Sequence, residues 1–134
     1  MATELTTDQI SDIRILFARF AHVFDNAEVD ALDQVFTEDG AIELARTGTV
    51  FRGLDAIRTF NRGLGEQSPD HHTLDTVLSV DEDGTVRGRS RYLAVLPDGS
   101  VHNGDYLDVL VRTERGWRIA YRRSVPRYPL AGPH

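Results

Sequence analysis

The chain contains no cysteine, which excludes disulfides, thiolate zinc sites and thiol nucleophiles. It contains no lysine either, since all 15 basic residues are arginine. Schiff-base chemistry and the lysine-dependent phosphate loop are excluded with it. Positive charge is in deficit, 15 Arg against 21 Asp plus Glu for a formal charge of −6, so neither nucleic acid nor an anionic membrane is an expected partner. No stretch approaches the roughly 18 consecutive apolar residues of a membrane span. Met1 to Gln9 is polar and acidic and lacks the apolar core of a signal peptide. These absences predict a cytoplasmic protein. What is present is 134 residues, 40% apolar and 27% charged, a composition that suits one compact domain with an internal pocket.

Ile10, Ile13, Phe17, Phe20 and Phe24 recur at three- and four-residue steps behind a Thr6–Gln9 capping box, which predicts an amphipathic helix from Thr6 to Phe24. Asp25-Asn26 punctuates it. Val29, Leu32, Val35 and Phe36 predict a shorter second helix ending near Asp39-Gly40. Ala41 to Ala45 and Thr49 to Arg52 read as a small hairpin, and Ile57, Phe60 and Leu64 mark a third helix after Gly53. The period then changes to two. Turn clusters at Asp81 to Gly84, Pro97 to Gly99 and Glu114 to Gly116 separate strands over His71 to Val80, Thr85 to Leu96, Val101 to Thr113 and Trp117 to Arg123. Helices first and a meander afterwards make an α+β fold, with an antiparallel sheet packed against three N-terminal helices. Residues 1–134 are expected to form a single domain, with a core of about 5–125 and a short tail over 126–134.

Successive strand residues face opposite sides of a sheet. Counting along the strands puts His72, Leu74, Thr76, Leu78 and Val80 on the side that meets the helices, followed by Val86, Gly88, Ser90, Tyr92, Ala94 and Leu96. The same count adds Val101, Asn103, Asp105, Leu107, Val109 and Val111, then Trp117, Ile119, Tyr121 and Arg123. A single bulge would reverse part of this assignment. On this count His72, Asn103 and Asp105 form a polar patch at one end of an apolar cavity, the usual form of a small-ligand site. Asp105 is a second carboxylate for that site or an ion-pair partner of Arg123. Tyr92 and Asn103 are pocket donors or ordinary buried and turn-end residues.

The opposite face gathers Arg87, Arg89, Arg91, Arg112, Arg118 and Arg122 with Asp108, which stands across from Arg122 if Glu114 to Gly116 closes the last hairpin. Such a face is either solvated or the contact surface of a homodimer. His71 and His72, as neighbours on a strand, point to opposite faces and are not expected to share a metal ion. No metal or cofactor is expected.

Phe24-Asp25-Asn26, Val35 to Gly40, Phe51 to Ile57, Asp70 to Leu74, Gly104 to Asp108 and Arg115 to Ile119, in this order, resemble the SnoaL-like branch of the nuclear transport factor 2-like superfamily. The resemblance implies a cone-shaped roll in which a strongly curved sheet wraps a helix, and subunits that commonly pair through the outer sheet face. The superfamily includes ketosteroid isomerases, polyketide cyclases, limonene-epoxide hydrolases and scytalone dehydratases. The isomerase base falls at Leu44 and its oxyanion-binding tyrosine at Phe20, so that chemistry is not implied. The aspartate and histidine that work in scytalone dehydratases fall at Asp25 and His72. A family tyrosine is Phe24 here, and a second family histidine near Leu96 is missing.

Asp25 and His72 are therefore the candidate pair, because a carboxylate that orients an imidazole fixes its tautomer and supports general acid/base catalysis near neutral pH. The competing reading has His72 satisfying a backbone group and Asp25 capping the turn at Asn26 to Glu28. One function follows from the pair: a cofactor-independent dehydratase, isomerase or cyclase acting on a small hydrophobic oxygenated substrate. His72 would be its acid/base, Asp25 its orienter, Tyr92, Asn103 and Asp105 its polar anchors, and Phe20, Phe24, Leu44, Leu74 and Trp117 its apolar wall. The alternatives are a non-catalytic small-molecule-binding or accessory protein with the same pocket, and a dimerisation domain with a filled core.

Overall fold

A computed structural model describes residues 4–130. Helix α1 (Thr7–Asp25) starts at a reciprocal cap: Gln9 N–H donates to Thr6 Oγ1 at 3.1 Å and Thr6 N–H donates to Gln9 Oε1 at 2.9 Å. Its buried stripe is Ile13, Leu16, Phe17, Phe20, Val23 and Phe24. A 3-10 helix (Val29–Gln34) follows, then strands β1 (Phe36–Leu44) and β2 (Thr49–Arg52), helix α2 (Leu54–Leu64) and a short 3-10 turn (Gly65–Gln67). Strands β3 (Asp70–Val80), β4 (Val86–Val95), β5 (Val101–Thr113) and β6 (Gly116–Tyr128) complete the chain.

The six strands form one curved, open sheet in the order β2-β1-β6-β5-β4-β3, with the core between its concave face and the helices. The architecture is the α+β roll expected, with three corrections. Residues 36–40 are strand rather than helix: Phe36 pairs in parallel with Ile119, and Ile119 N–H donates to the Val35 carbonyl at 2.8 Å. Backbone pairing with β6 gives these residues partners that a lone continued 3-10 turn could not. The β1–β6 pair also makes the sheet mixed rather than purely antiparallel. β6 runs past the expected end of the core, since Pro126 and Tyr128 pair with Gly104 and Asn103. Of the expected tail, residues 131–134 lie outside the described residues. No helix among the described residues is long and apolar enough to cross a membrane.

Two bulges and one hairpin register decide which side chains enter the concave face. In β3 the pairing with β4 shifts between Leu74 and Val77, where Asp75 takes a left-handed φ of 54°. This bulge leaves Thr76 and Leu78 inward and turns the first half of the strand over, so that His71 and Thr73 face in while His72 and Leu74 face out. In β6 the register against β5 skips Ala120, so that Trp117 and Ile119 point inward before it and Arg122 after it. In β5 the hairpin register sets Ala94 opposite His102, Tyr92 opposite Gly104 and Ser90 opposite Tyr106. Cross-strand partners share a face, so His102, Gly104, Tyr106, Asp108 and Leu110 are the inner set, and Val101, Asn103, Asp105 and Leu107 the outer one.

Candidate active site

Asp25 ends α1, and β3 begins beside it. Its Oδ2 accepts the backbone N–H of His71 at 2.6 Å and its Oδ1 stands 2.6 Å from His71 Nδ1. A carboxylate at a helix C-terminus lies at the wrong end of the helix dipole, and the two short contacts offset that placement. The partner of Asp25 is thus His71, not His72, and the carboxylate does not cap Asn26 to Glu28. The His71 and Asp25 side chains keep 13% and 8% of their surface. The preceding turn of α1 is held by the buried Asn61 of α2, whose Nδ2 donates to the Phe24 carbonyl at 2.8 Å.

His71 borders two hollows. A cavity of about 290 Å³ lies inside the cone, lined by Phe20, Phe24, Leu44, Phe60, Tyr92, His102, Tyr106, Arg122 and Ser124 among others. A wider groove of about 730 Å³ runs outside, between α1 and β3, and takes in Asp25, His72 and Leu74. Asp25 borders only this outer groove. It therefore holds the imidazole from behind through Nδ1, and in the neutral ring with Nδ1 protonated the lone pair sits on Nε2, at the opposite side of the ring.

The cavity wall is largely aromatic. Phe20 stacks on Phe24 at 5.0 Å and Tyr92 on Tyr106 at 4.7 Å, and Tyr92 lies 6.1 Å from the His71 ring and 5.8 Å from that of His102. Burial raises the pKa of the Tyr92 hydroxyl, partly offset by its hydrogen bond with Ser124. Burial also pushes Tyr106 well upward. Both are neutral donors at physiological pH. At the cavity wall Arg122 meets Asp108 through two 2.8 Å hydrogen bonds, from Nε to Oδ1 and from Nη2 to Oδ2. Burial lowers the Arg122 pKa and the Asp108 carboxylate more than compensates, so the net direction is upward.

Phe20, Phe24, Leu44 and Tyr92 stand in the cavity as expected from sequence. The remaining expected residues do not. His72 is exposed on the outer side, and Leu74 is 48% exposed, both because of the Asp75 bulge. Asp105 forms an outer ion pair with Arg91 at 2.6 Å, not with Arg123. The Asn103 Oδ1 accepts the Tyr128 N–H at 3.1 Å. Trp117 is a core residue outside the cavity lining. Asp108 and Arg122 pair across strands as expected, but inside the cone rather than on its outer face, and Arg118 is buried as well. Tyr121 and Arg123 turn outward to share Glu43.

His71, His102, Tyr106 and Arg122 are the cavity residues that sequence alternation missed. The signal that finds three of them is the pairing register. Around the Pro97-Asp98-Gly99 turn, Ala94 must face His102, so the inner set of β4 dictates that of β5 and, through Asp108, brings in Arg122. His102 supplies the cavity with a second histidine, which the sequence resemblance had left missing. Among the described residues no group of three or more His, Asp or Glu side chains is placed to hold a metal ion.

Similar structures share the whole architecture. A protein of unknown function from Mycobacterium tuberculosis is 31% identical, with 91% of this chain and 73% of that one covered at a TM-score of 0.80. A scytalone dehydratase-like protein from Novosphingobium aromaticivorans is 20% identical, with 91% and 89% covered at 0.77. ActVI-ORFA from Streptomyces coelicolor is 19% identical, with 91% and 99% covered at 0.78. Among curated proteins none matches the chain. The family model for the SnoaL-like domain matches residues 6–123, and the chain belongs to that family.

Proposed function

We propose that the protein is a cofactor-independent acid/base enzyme that dehydrates, isomerises or cyclises a small hydrophobic oxygenated substrate. The observation that carries this reading is the His71–Asp25 pair at the wall of an aromatic cavity, in which His71 borders the cavity and Asp25 only the outer groove. His71 moves the proton through Nε2. Asp25 is the positioning residue, Tyr92 and His102 are polar groups within reach of a bound ligand, and Phe20, Phe24, Leu44 and Phe60 exclude water. The scytalone dehydratase-like neighbour supports dehydration among the three reactions.

In a dehydration His71 takes the hydrogen next to a carbonyl onto Nε2, the C–H electron pair forms the new double bond, and the β-hydroxyl leaves as water with the proton that Nε2 returns to it. A direct assay follows 3-hydroxy-1-tetralone, whose dehydration product tautomerises to fluorescent 1-naphthol. His71→Asn is expected to lower the rate roughly 10²- to 10⁴-fold with the fold intact by circular dichroism. A folded His71→Asn protein with the wild-type rate would overturn the reading. A protein that binds the ketone without turning it over would favour a non-catalytic binding role for the same cavity.

The outer sheet face is proposed as the surface of a homodimer. Leu74, Val77 and Leu107 stand exposed at 48%, 66% and 37% on β3 and β5, beside the Arg91–Asp105 ion pair. Light scattering at micromolar concentration is expected to give twice the chain mass, and Leu107→Glu to give the single-chain mass.

A further inference from the structure

The Arg122–Asp108 pair leaves one guanidinium nitrogen, Nη1, over. Nε and Nη2 are both taken by Asp108, whereas the buried Nη1 has no hydrogen-bond partner among the described residues. Arg122 is 1% exposed, and native interiors rarely leave such a donor unused. The guanidinium is also held in plane: it lies 3.9 Å over the Tyr106 ring and 4.5 Å over that of Phe20, with Phe17 on a third side at 5.1 Å. It cannot turn to find another acceptor without leaving Asp108 and these rings. Arg122, Phe20 and Tyr106 all line the inner cavity, so the acceptor open to Nη1 is one brought in by a ligand.

We propose that Arg122 Nη1 anchors a carbonyl oxygen of the ligand and makes the cavity selective for a ketone on a small one- or two-ring skeleton. An acceptor is required because a guanidinium only donates. The ring skeleton follows from the stacked aromatic wall and from a volume at the small end of ligand cavities.

The inference deepens the acid/base reading and rests on it in one respect. When His71 takes a hydrogen from the carbon beside the carbonyl, the C–H pair becomes the enolate double bond and the carbonyl π pair moves to oxygen. The proton ends on Nε2, and the new charge ends on the atom that Nη1 holds, where a charge-assisted hydrogen bond strengthens as charge develops.

The test compares 1-tetralone with tetralin, the same bicycle without the carbonyl, by isothermal titration calorimetry. The wild-type protein is expected to bind 1-tetralone roughly 10- to 100-fold more tightly. The double variant Arg122→Met with Asp108→Asn removes the guanidinium without stranding the carboxylate, and is expected to bind the two equally. On the wild-type protein alone, the carbonyl ¹³C resonance of 1-tetralone is expected to move downfield on binding. Equal affinities in the wild type, absence of binding by both, an unmoved ¹³C resonance, or a preference retained in a folded double variant would each overturn the anchor. Deuterium exchange at C2 of 1-tetralone separates this from the acid/base reading. A carbonyl preference with exchange unaffected by His71→Asn upholds the anchor and removes the catalytic role. A lost preference with His71-dependent exchange does the reverse.

Discussion

Two carboxylates of this domain each use both oxygens to hold a nitrogen base, and the two pairs do different work. Asp108 grips the Arg122 guanidinium at side-chain exposures of 0% and 1%, among Phe17, Phe20 and Tyr106. Asp25 grips the backbone and the imidazole of His71 at the end of a helix and the start of an edge strand, where both side chains keep some access to solvent. A guanidinium does not release its proton, so the first pair supplies a fixed charge and a fixed donor. An imidazole changes charge in the physiological range, so the second pair can pass a proton. The first pair is part of the core, so its disruption is felt as stability as well as in ligand anchoring. Disruption of the second is felt chiefly as chemistry.

The largest effect expected is from Arg122→Met, which strands a buried carboxylate and should lower stability by about 3–5 kcal/mol. Adding Asp108→Asn should return most of the loss, with urea unfolding of the single and double variants as the measurement. Equal losses would mean that the two residues do not act as a pair. Next is Gly104→Ala. A Cβ there would run into the Tyr92 ring and the Val125 carbonyl, and such overpacking typically lowers stability by about 1–3 kcal/mol. A fully stable Gly104→Ala protein would show that Tyr92 is not fixed from behind.

A milder loss is expected at alkaline pH. Burial raises the folded-state pKa values of Tyr92 and Tyr106. The stability these groups contribute is fully present below the unfolded tyrosine pKa of about 10 and is lost as pH rises through the folded values. Thermal melts across that range should show the decline, and Tyr106→Phe should reduce it. The smallest effects on stability belong to Asp25 and to the exposed His72. Asp25→Asn keeps an acceptor for the His71 N–H and should lower stability by about 1 kcal/mol. His72→Asn should stay within about 0.5 kcal/mol of wild type.

The sequence shows the helices, the meander and the Asp108–Arg122 partnership, because each rests on local signals: a capping box, turn clusters, a hairpin register. It hides the face on which the functional residues lie. In β5 the inward set includes His102, Gly104 and Asp108, whereas the outward set includes Val101, Leu107 and Val109. A cavity with polar equipment breaks the apolar-inside rule where it matters, so hydrophobic alternation selects the outer face. The bulges at Asp75 and Ala120 compound this, since one extra residue exchanges His72 for His71 and Arg123 for Arg122. Nothing in the local sequence around Ala120 announces its bulge. For Asp75, only the energetic tolerance of aspartate for left-handed backbone is a hint. The Asp25 carboxylate was legible from its place at a helix end, but which of two adjacent histidines it meets depends on a bulge four residues beyond His71.

Asp25 holds His71, and not His72, through Nδ1, which leaves Nε2 as the nitrogen that can accept a proton. Long-range ¹H–¹⁵N correlation of the imidazole rings, recorded above the range in which histidine titrates, tests it most directly. His71 is expected in the tautomer with Nδ1 protonated, with this proton protected from exchange, and Asp25→Asn is expected to shift His71 while leaving His72 unchanged. A His71 ring protonated on Nε2, or a response to Asp25→Asn at His72 instead, would contradict it.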